Sequence, residues 1–343
     1  MMTPAHPPLA LTKVRLRWLV AAAMTATLIW MGAERLSRRA IHPQFAQMLT
    51  AARTMQDASM VLRGEKEALG LLQPPDIDPN RTGMIGAEFT GLTTTLGDLP
   101  AKRTATNPDL AALLVKQLAA LDPPHGAPVA VVVSGSFVGA DVAAIAAVEA
   151  LGLRAVLIAS LGASMWGAND PAFNLLDMLV LLRARGVIKA GVAAAVIGGE
   201  GAVGAGMDPQ IIAALRASAS KAGTRIIDAR PLAATIDALM TAIQVALGNG
   251  AQPAAVINVG GALIGLGTCL GAHELPPGLV RPGPCKNGDP GIALRLAQAG
   301  APMLNVINLK RIAIEEGMSF DPRPLPTPGN NPAIYGQTRK GSH

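Results

Sequence analysis

Aromatic and charged side chains are scarce in this chain. Aromatic residues make up 3 % of its 343 residues and charged residues 15 %, whereas half of the residues are hydrophobic. So few rings exclude an extended base-stacking surface for single-stranded nucleic acid. Ala, Val, Leu and Ile therefore have to fill the core, and the chain is long enough to bury a large one. The composition indicates closely packed helices and sheets, and no nucleic-acid partner.

The excess of positive charge is small and lies at one end of the chain. The formal net charge is +6, but residues 1–39 hold six Lys or Arg and one Glu, so they carry about +5 of it. The rest of the chain is nearly neutral. It therefore offers no long basic track for coating a polyanion.

An uncharged stretch at residues 18–33 follows a basic tail at residues 1–17. As a helix it would be roughly 24 Å long, slightly less than the ~30 Å hydrocarbon layer of a bilayer. Trp18 and Trp30 lie near its ends, as interfacial anchors do. We predict a single-pass anchor in the plasma or inner membrane, with the body outside the cytoplasm. A cleaved signal peptide or a buried helix are the alternatives.

Four segments follow the predicted anchor. Residues 40–72 have the period of an amphipathic helix, and residues 73–106 have no sustained period but too many apolar residues for disorder. Residues 107–320 form the predicted core domain, and the Pro/Gly-rich tail at 321–343 is expected to be extended or mobile. The apolar positions of the amphipathic helix are Phe45, Met48, Leu49, Ala52, Met55 and Leu62.

The core domain alternates predicted strands with predicted helices. Asn107 and Pro108 are typical of a helix start. The alternation predicts an α/β fold, a doubly wound and mostly parallel sheet with helices on both faces, similar to a Rossmann fold. Ligands in such sheets bind beyond the carboxyl ends of the strands. The predicted strands are PVAVVV, RAVLIAS, AAAVIGG, TRIIDA, AAVINVGG and PMLNVIN.

Glycine and serine are concentrated where four of these strands end. Small residues let the backbone approach a ligand closely, although ordinary βα turns also need them. Because the carboxyl ends of parallel strands share one edge, we predict a binding site there. The four segments are SGSFVGAD, LGASMWGANDP, IGGEGAVGAGMD and NVGGALIGLG, and their candidate binding residues are Ser134, Ser136, Ser164, Asn169 and Asn258.

Catalytic residues cannot be chosen from these segments alone. A nucleophilic serine needs a base within reach, and neither His125 nor His273 is placed beside one by the sequence. Glu200 and Asp170 follow strands and are candidate acids or bases, although capping a helix is the simpler role for Asp170. The catalytic candidates are Ser134, Ser136, Ser164, Asp170 and Glu200.

The sequence indicates no metal site and leaves the cofactor unknown. The histidines are scattered, and the two cysteines do not have zinc-site spacing. Residues 199–204 match G-x-G-x-x-G, and Asp228 follows at about the distance of a ribose-binding acid, so dinucleotide binding is an alternative. Cys269 and Cys285 either close a disulfide loop or remain free thiols, and the sequence leaves both open.

The segment at residues 93–104 combines hydroxyl groups with two cations. We predict that it folds over the carboxyl-end edge of the sheet and completes a pocket for carboxylate or phosphate groups. The alternative is a loop whose threonines bond their own backbone. The residues in question are Thr93, Thr94, Thr95, Lys102, Arg103 and Thr104.

Residues 51–308 resemble the poly-γ-glutamate system protein family. The specific parts of the likeness are TTTLG, AKRT and GASMWGANDP. The resemblance implies a membrane-anchored accessory protein of poly-γ-glutamate synthesis or export at the cell envelope or capsule. Its implied partners are the synthase membrane components and the acidic polymer or a glutamate-like ligand. It brings no catalytic residue.

Two other functions remain open at this point. One is a γ-glutamyl hydrolase or transferase with a serine nucleophile. The other is a nucleotide-binding regulatory protein that uses the glycine-rich segment at residues 199–206.

Overall fold

The computed structural model describes residues 16–37, 41–248 and 250–337. The described residues divide into two units, one with residues 16–37, 41 and 337 and one with residues 42–248 and 250–336. In the first unit, helix α1 (Leu16–Ser37) covers the predicted anchor, and its described side chains, residues 18–31, are all exposed. Within the described ranges, no helix has both the length and the apolar character needed to cross a membrane. Most of the predicted basic tail lies outside the described residues.

The second unit is built on a six-stranded sheet, which confirms the predicted α/β class with a mostly parallel sheet. The strand order is β5-β3-β2-β6-β8-β7, and neighbours are parallel except for β7, which runs antiparallel to β8. A separate parallel pair joins β1 to β4. The strands are β1 (Thr93–Thr95), β2 (Pro128–Ser134), β3 (Arg154–Ser160), β4 (Ala163–Ser164), β5 (Val192–Val196), β6 (Ala255–Val259), β7 (Gly278–Val280) and β8 (Met303–Val306).

Helices cover both faces of the sheet. The helices of this unit are α2 (Phe45–Ala68), α3 (Leu99–Ala105), α4 (Pro108–Ala119), α5 (Val138–Ala150), α6 (Leu175–Ala184), α7 (Pro209–Ala222), α8 (Leu232–Leu247), α9 (Leu263–Leu266), α10 (Ile292–Gln298), α11 (Leu309–Glu316) and α12 (Pro332–Tyr335), with a 3-10 turn at Ala272–Glu274.

Alternate residues of the central strand β2 enter two separate cores. Val129, Val131 and Val133 pack in the core that includes α2, α4 and α5, whereas Ala130 and Val132 pack in the core with α8 and α10. Helix α5 also contacts α2 and α4, which form a further layer over it. This explains its nearly uniform apolar sequence, because a helix covered on all sides has no solvent face.

The order of connections creates a switch point beside β2. The chain runs from β2 through α5 to β3 and on to β5, and it later places β6 on the opposite side of β2. Loops leaving β2 and β6 therefore diverge at their carboxyl ends. A crevice opens at such a point in an open α/β sheet.

One prediction about local structure was wrong. The run TRIIDA is not a strand, because only Ile226 bridges to Ala195 before the chain leaves the sheet. Residues 73–106, which were predicted to be ordered without a sustained period, contain β1 and α3. Asp98 caps α3 by accepting from the N–H of Ala101, and β1 pairs with β4, a partner too distant in sequence to produce a local pattern.

The first part of the Pro/Gly-rich tail, which was expected to be extended or mobile, packs on the body. The carboxylate of Asp321 pairs with Arg103 and Arg323. Tyr335 is 3 % exposed and meets the ring of Phe45 edge-on. Local composition predicts flexibility here, but these long-range contacts hold the segment on the body.

Cys269 and Cys285 form a disulfide with their Cα atoms 5.5 Å apart. The loop that it closes contains the 3-10 turn and β7, the antiparallel edge strand. The bond thus ties the polypeptide between α9 and α10 at one side of the sheet.

Candidate functional site

A cleft of about 520 Å³ opens at the carboxyl ends of β2, β3, β5 and β6. This is the edge of the sheet where the sequence predicts a site. Five side-chain hydroxyl groups and the glycine-rich turns dominate its wall. The lining residues are Thr94, Thr95, Leu96, Ser136, Phe137, Ser160, Gly162, Ser164, Gly198, Gly199, Glu200, Ala202, Gly261, Ala262 and Leu263.

Lys102 lies directly behind this wall. It is 3 % exposed, and its ammonium nitrogen is 2.6 Å from the hydroxyl oxygen of Ser164. The same Nζ donates to the carbonyl oxygen of Ser136 and lies 3.8 Å from the centre of the Phe137 ring. One flexible cation is thus held by a serine hydroxyl, a backbone carbonyl and an aromatic face.

Burial changes the charge state of Lys102. Removal from water lowers its pKa to about 7, against the opposing influence of the carboxylates of Asp141 and Asp98. Asp141 is itself fully buried, and burial raises the pKa of its carboxyl group well above the usual range, although Lys102 and the N–H of Ser134 act in the opposite direction. Lys102 is therefore close to its point of half-protonation at neutral pH, unlike a surface lysine.

A close helix contact fixes the position of Lys102. Gly139, in the first turn of α5, faces the end of α3, and a Cβ atom there would lie 2.4 Å from the carbonyl oxygen of Ala105. Only glycine permits this approach without displacing backbone. Since Lys102 is in the last turn of α3, the contact sets its depth behind the cleft.

The neighbouring hydroxyl groups hold the short strand β4 in place. The N–H of Ser164 donates to Oγ of Ser136 over 3.1 Å, and Oγ1 of Thr94 donates to the carbonyl oxygen of Ala163 over 3.1 Å. These bonds join the loops after β2 and β3 to the pair β1 and β4. They therefore orient Ser164 toward both the cleft and Lys102.

The structure brings together about half of the residues that the sequence nominated. Lys102 contacts the wall from behind, and Glu200, an exposed residue, is the one charged residue among those that line the cleft. The other nominated lining residues are Thr94, Thr95, Ser136 and Ser164.

Arg103 does not join this site, so the expectation that the two cations act together needs correction. Its guanidinium group donates to the carbonyl oxygens of Ile77 and Asp76 and pairs with Asp321 at 3.3 Å. Adjacent residues on a helix point in directions about 100° apart. Lys102 and Arg103 consequently bond to different parts of the protein.

Two threonines near the cations bond within the protein. Oγ1 of Thr93 accepts from the N–H of Thr90 and from Nδ2 of Asn169, and Oγ1 of Thr104 donates to the carbonyl oxygen of Pro100 while accepting from the N–H of Asp321. These side chains stabilise the segment at residues 93–104 and do not line the cleft.

Four other candidates lie away from the cleft wall. Ser134 is 1 % exposed and its hydroxyl has no partner among the described residues. Nδ2 of Asn169 donates to the carbonyl oxygen of Ala87, and Nδ2 of Asn258 donates to Asn305. Asp170 accepts from the N–H two residues later, in a turn that precedes α6.

Two polar residues of the site were missed by the sequence analysis. Asp141 was not nominated, although an acid in the first turn of a mostly apolar helix was a visible signal. Ser160 was not nominated either, because it ends the predicted strand RAVLIAS, where an inward serine looks like part of the sheet. It lines the cleft and is nearly buried.

The glycine-rich segment differs from a dinucleotide fingerprint. Helix α7 begins at Pro209, after residues 199–204, and Asp208 caps it by accepting from the N–H of Gln210. In the fingerprint, the third glycine packs at the start of the helix and the helix N-terminus faces phosphate. Asp228, the proposed ribose partner, forms an exposed ion pair with Arg216 at 2.5 Å.

A second cavity of about 550 Å³ lies at the opposite ends of the strands, beside His125, Glu149 and Arg154. The carboxylate of Glu149 already accepts from the N–H groups of Lys189 and Ala190, and Arg154 donates to the carbonyl oxygen of Ala246.

The described residues hold no cluster of side chains suited to a metal ion. No family model, curated protein or solved structure matches the chain.

Proposed function

We propose that this chain is a membrane-anchored accessory protein of poly-γ-glutamate synthesis or export, and that its cleft binds a few glutamyl units of the polymer or a precursor. The observation that carries the proposal is the position of Lys102 behind a wall of hydroxyl groups at the switch point of the sheet. The sequence resemblance supports the setting.

The chemistry of the cleft suits a ligand that has both carboxylate and amide groups. Hydroxyl groups of Thr95 and Ser160 can donate to or accept from an amide. A carboxylate near the wall would favour the charged form of Lys102, so binding would take up a proton near pH 7. Glu200 at the rim opposes a long polyanion, which favours a short bound segment.

Attachment to the membrane is part of the same proposal. The described side chains of α1 include large apolar groups left without cover, among them Trp18, Leu28 and Trp30. A bilayer or a synthase membrane subunit would bury them. The disulfide between Cys269 and Cys285 supports a body outside the cytoplasm, where such bonds persist.

The test is binding of short γ-linked glutamate oligomers to the full chain in detergent, measured by calorimetry at pH 6 and pH 8. We expect Lys102→Met to weaken binding at least tenfold at pH 6, because it removes the only buried cation behind the described cleft wall. Proton uptake should accompany binding to the wild type near pH 7, as shown by different heats in two buffers.

The control is Lys66→Met, since Lys66 is also buried but donates to the carbonyl oxygen of Ile85 and does not line the cleft. α-Linked oligomers of the same length test whether the linkage is recognised. Equal affinity of the wild type and Lys102→Met would contradict the proposed binding site. A reporter domain can be fused after the last residue to test the orientation. Reporter activity found only in the cytoplasm would contradict the proposed orientation.

A further inference from the structure

We infer that Ser164 and Lys102 form a nucleophile and general-base pair that hydrolyses an amide- or ester-linked acyl substrate in the cleft. The inference goes beyond binding and does not depend on which polymer or precursor occupies the site. It selects one of the three candidate serines and supplies the base that neither histidine provides.

The geometry distinguishes Ser164 from the other serines. Its Oγ is 2.6 Å from Nζ of Lys102, within the reach that proton transfer requires. Ser164 lines the cleft. Lys102 lies behind the cleft wall, in contact with Ser164, and does not line the cleft. A substrate can therefore reach the hydroxyl from the cleft, and an acyl carbon bonded to Oγ would bring its leaving atom within reach of Nζ.

Ser134 and Ser136 lack this arrangement. The hydroxyl of Ser134 is buried away from the cleft and has no partner among the described residues. Ser136 uses its carbonyl oxygen to hold Lys102 and its Oγ to accept from the N–H of Ser164. Ser136 is thus a positioning residue that orients both members of the pair.

The surroundings of Lys102 allow it to act as a base. A serine–lysine pair needs a neutral amine at working pH, and burial favours the neutral form. The pKa of Lys102 is lowered to about 7 by burial, while Asp141 from α5 and Asp98 from the cap of α3 oppose the shift. The ring of Phe137, the residue before α5, packs against the amine with its centre 3.8 Å from Nζ.

The proposed reaction consumes one water and needs no other reactant. Oγ of Ser164 attacks the acyl carbon while its proton moves to Nζ of Lys102. The bond from carbon to the leaving nitrogen or oxygen then breaks, and Lys102 returns the proton to that atom. Water, deprotonated by Lys102, attacks the acyl-serine ester. The bond from the acyl carbon to Oγ then breaks, Lys102 returns the proton to Oγ, and the carboxylic acid is released.

Lys66 provides a matched comparison within the same protein. It is 2 % exposed, burial lowers its pKa to about 8, and its Nζ donates to the carbonyl oxygen of Ile85 over 2.9 Å. No serine hydroxyl is bonded to it among the described residues. A buried lysine alone therefore does not make the proposed pair.

The test uses a fluorophosphonate probe on the full chain in detergent, with the modified residue located by peptide mass spectrometry. We expect one adduct, on Ser164, whose rate of formation rises with pH and reaches half of its maximum near pH 7. Hydrolysis of p-nitrophenyl acetate should follow the same profile. Ser164→Ala should abolish both, and Lys102→Met should slow both by about 100-fold or more.

Lys66→Met and Ser134→Ala are the controls and should react at the wild-type rate. Melting temperatures identify variants that fail to fold, and the pH profile and adduct position of the wild type test the inference without any variant. An adduct on another serine, a flat pH profile, or an unlabelled but folded wild type would overturn it. Glutamate oligomers that still bind Ser164→Ala would leave the proposed binding function intact.

Discussion

The buried lysines should make the stability of the protein depend on pH between about pH 6 and pH 9. The folded protein holds Lys102 with a pKa of about 7, whereas the unfolded chain holds it near the ordinary 10.5. Between these values the unfolded chain binds more protons than the folded protein. The contribution of Lys102 to the free energy of unfolding therefore rises with pH across this window and is lowest below about pH 7.

The size of the effect follows from the two pKa values. From pH 6 to pH 9, Lys102 should add about 2–3 kcal/mol to the free energy of unfolding. Lys66, whose pKa is lowered to about 8, should add only about 1–1.5 kcal/mol over the same range. The perturbation is Lys102→Met, with Lys66→Met as its matched partner, because methionine fills a similar volume without a charge.

The assay is urea denaturation of the full chain in detergent at pH 6, 7.5 and 9, followed by tryptophan fluorescence. At pH 6, we expect Lys102→Met to have a higher free energy of unfolding than the wild type. The difference between the variant and the wild type should fall by about 2–3 kcal/mol from pH 6 to pH 9. The dependence should be weaker for Lys66→Met. A difference between Lys102→Met and the wild type that stays constant with pH would refute the reasoning.

Two further substitutions test the packing around the site. Arg103→Ala removes the ion pair with Asp321 and two hydrogen bonds to backbone carbonyls. It should lower the free energy of unfolding by about 2–3 kcal/mol and leave the affinity for glutamate oligomers unchanged. A loss of affinity without a loss of stability would contradict this prediction. Gly139→Ala places a Cβ 2.4 Å from the carbonyl oxygen of Ala105. It should lower the free energy of unfolding by about 1–3 kcal/mol and slow the labelling of Ser164 by the fluorophosphonate probe. An unaltered labelling rate would contradict the link between this contact and the cleft.

Local patterns predicted those elements whose partners lie nearby in sequence or are implied by the fold class. Buried strands read as continuous apolar runs because both of their faces are covered, and Asn107 caps α4 as its sequence position suggested. The alternation of predicted strands and helices was enough to predict which edge of the sheet holds the cleft. A parallel sheet places every carboxyl end of its strands on one side.

The pairing of distant segments was beyond such patterns. Strand β1 has three residues, and its partner β4 has two, so neither shows a period of its own. The run TRIIDA has the composition of a strand but makes only an isolated bridge. In each case, contacts between residues far apart in the chain decided the outcome.

The amino-acid sequence by itself determined the α/β class and the location of the cleft, because hydrophobic period and small-residue turns are local properties. It also nominated Lys102, Arg103 and Ser164, but it could not say which of them would meet. Only the tertiary structure turned Lys102 toward Ser164 and Arg103 toward Asp321. The reason is that side-chain direction and burial, which set both the partner and the pKa of a cation, depend on helix packing against distant segments.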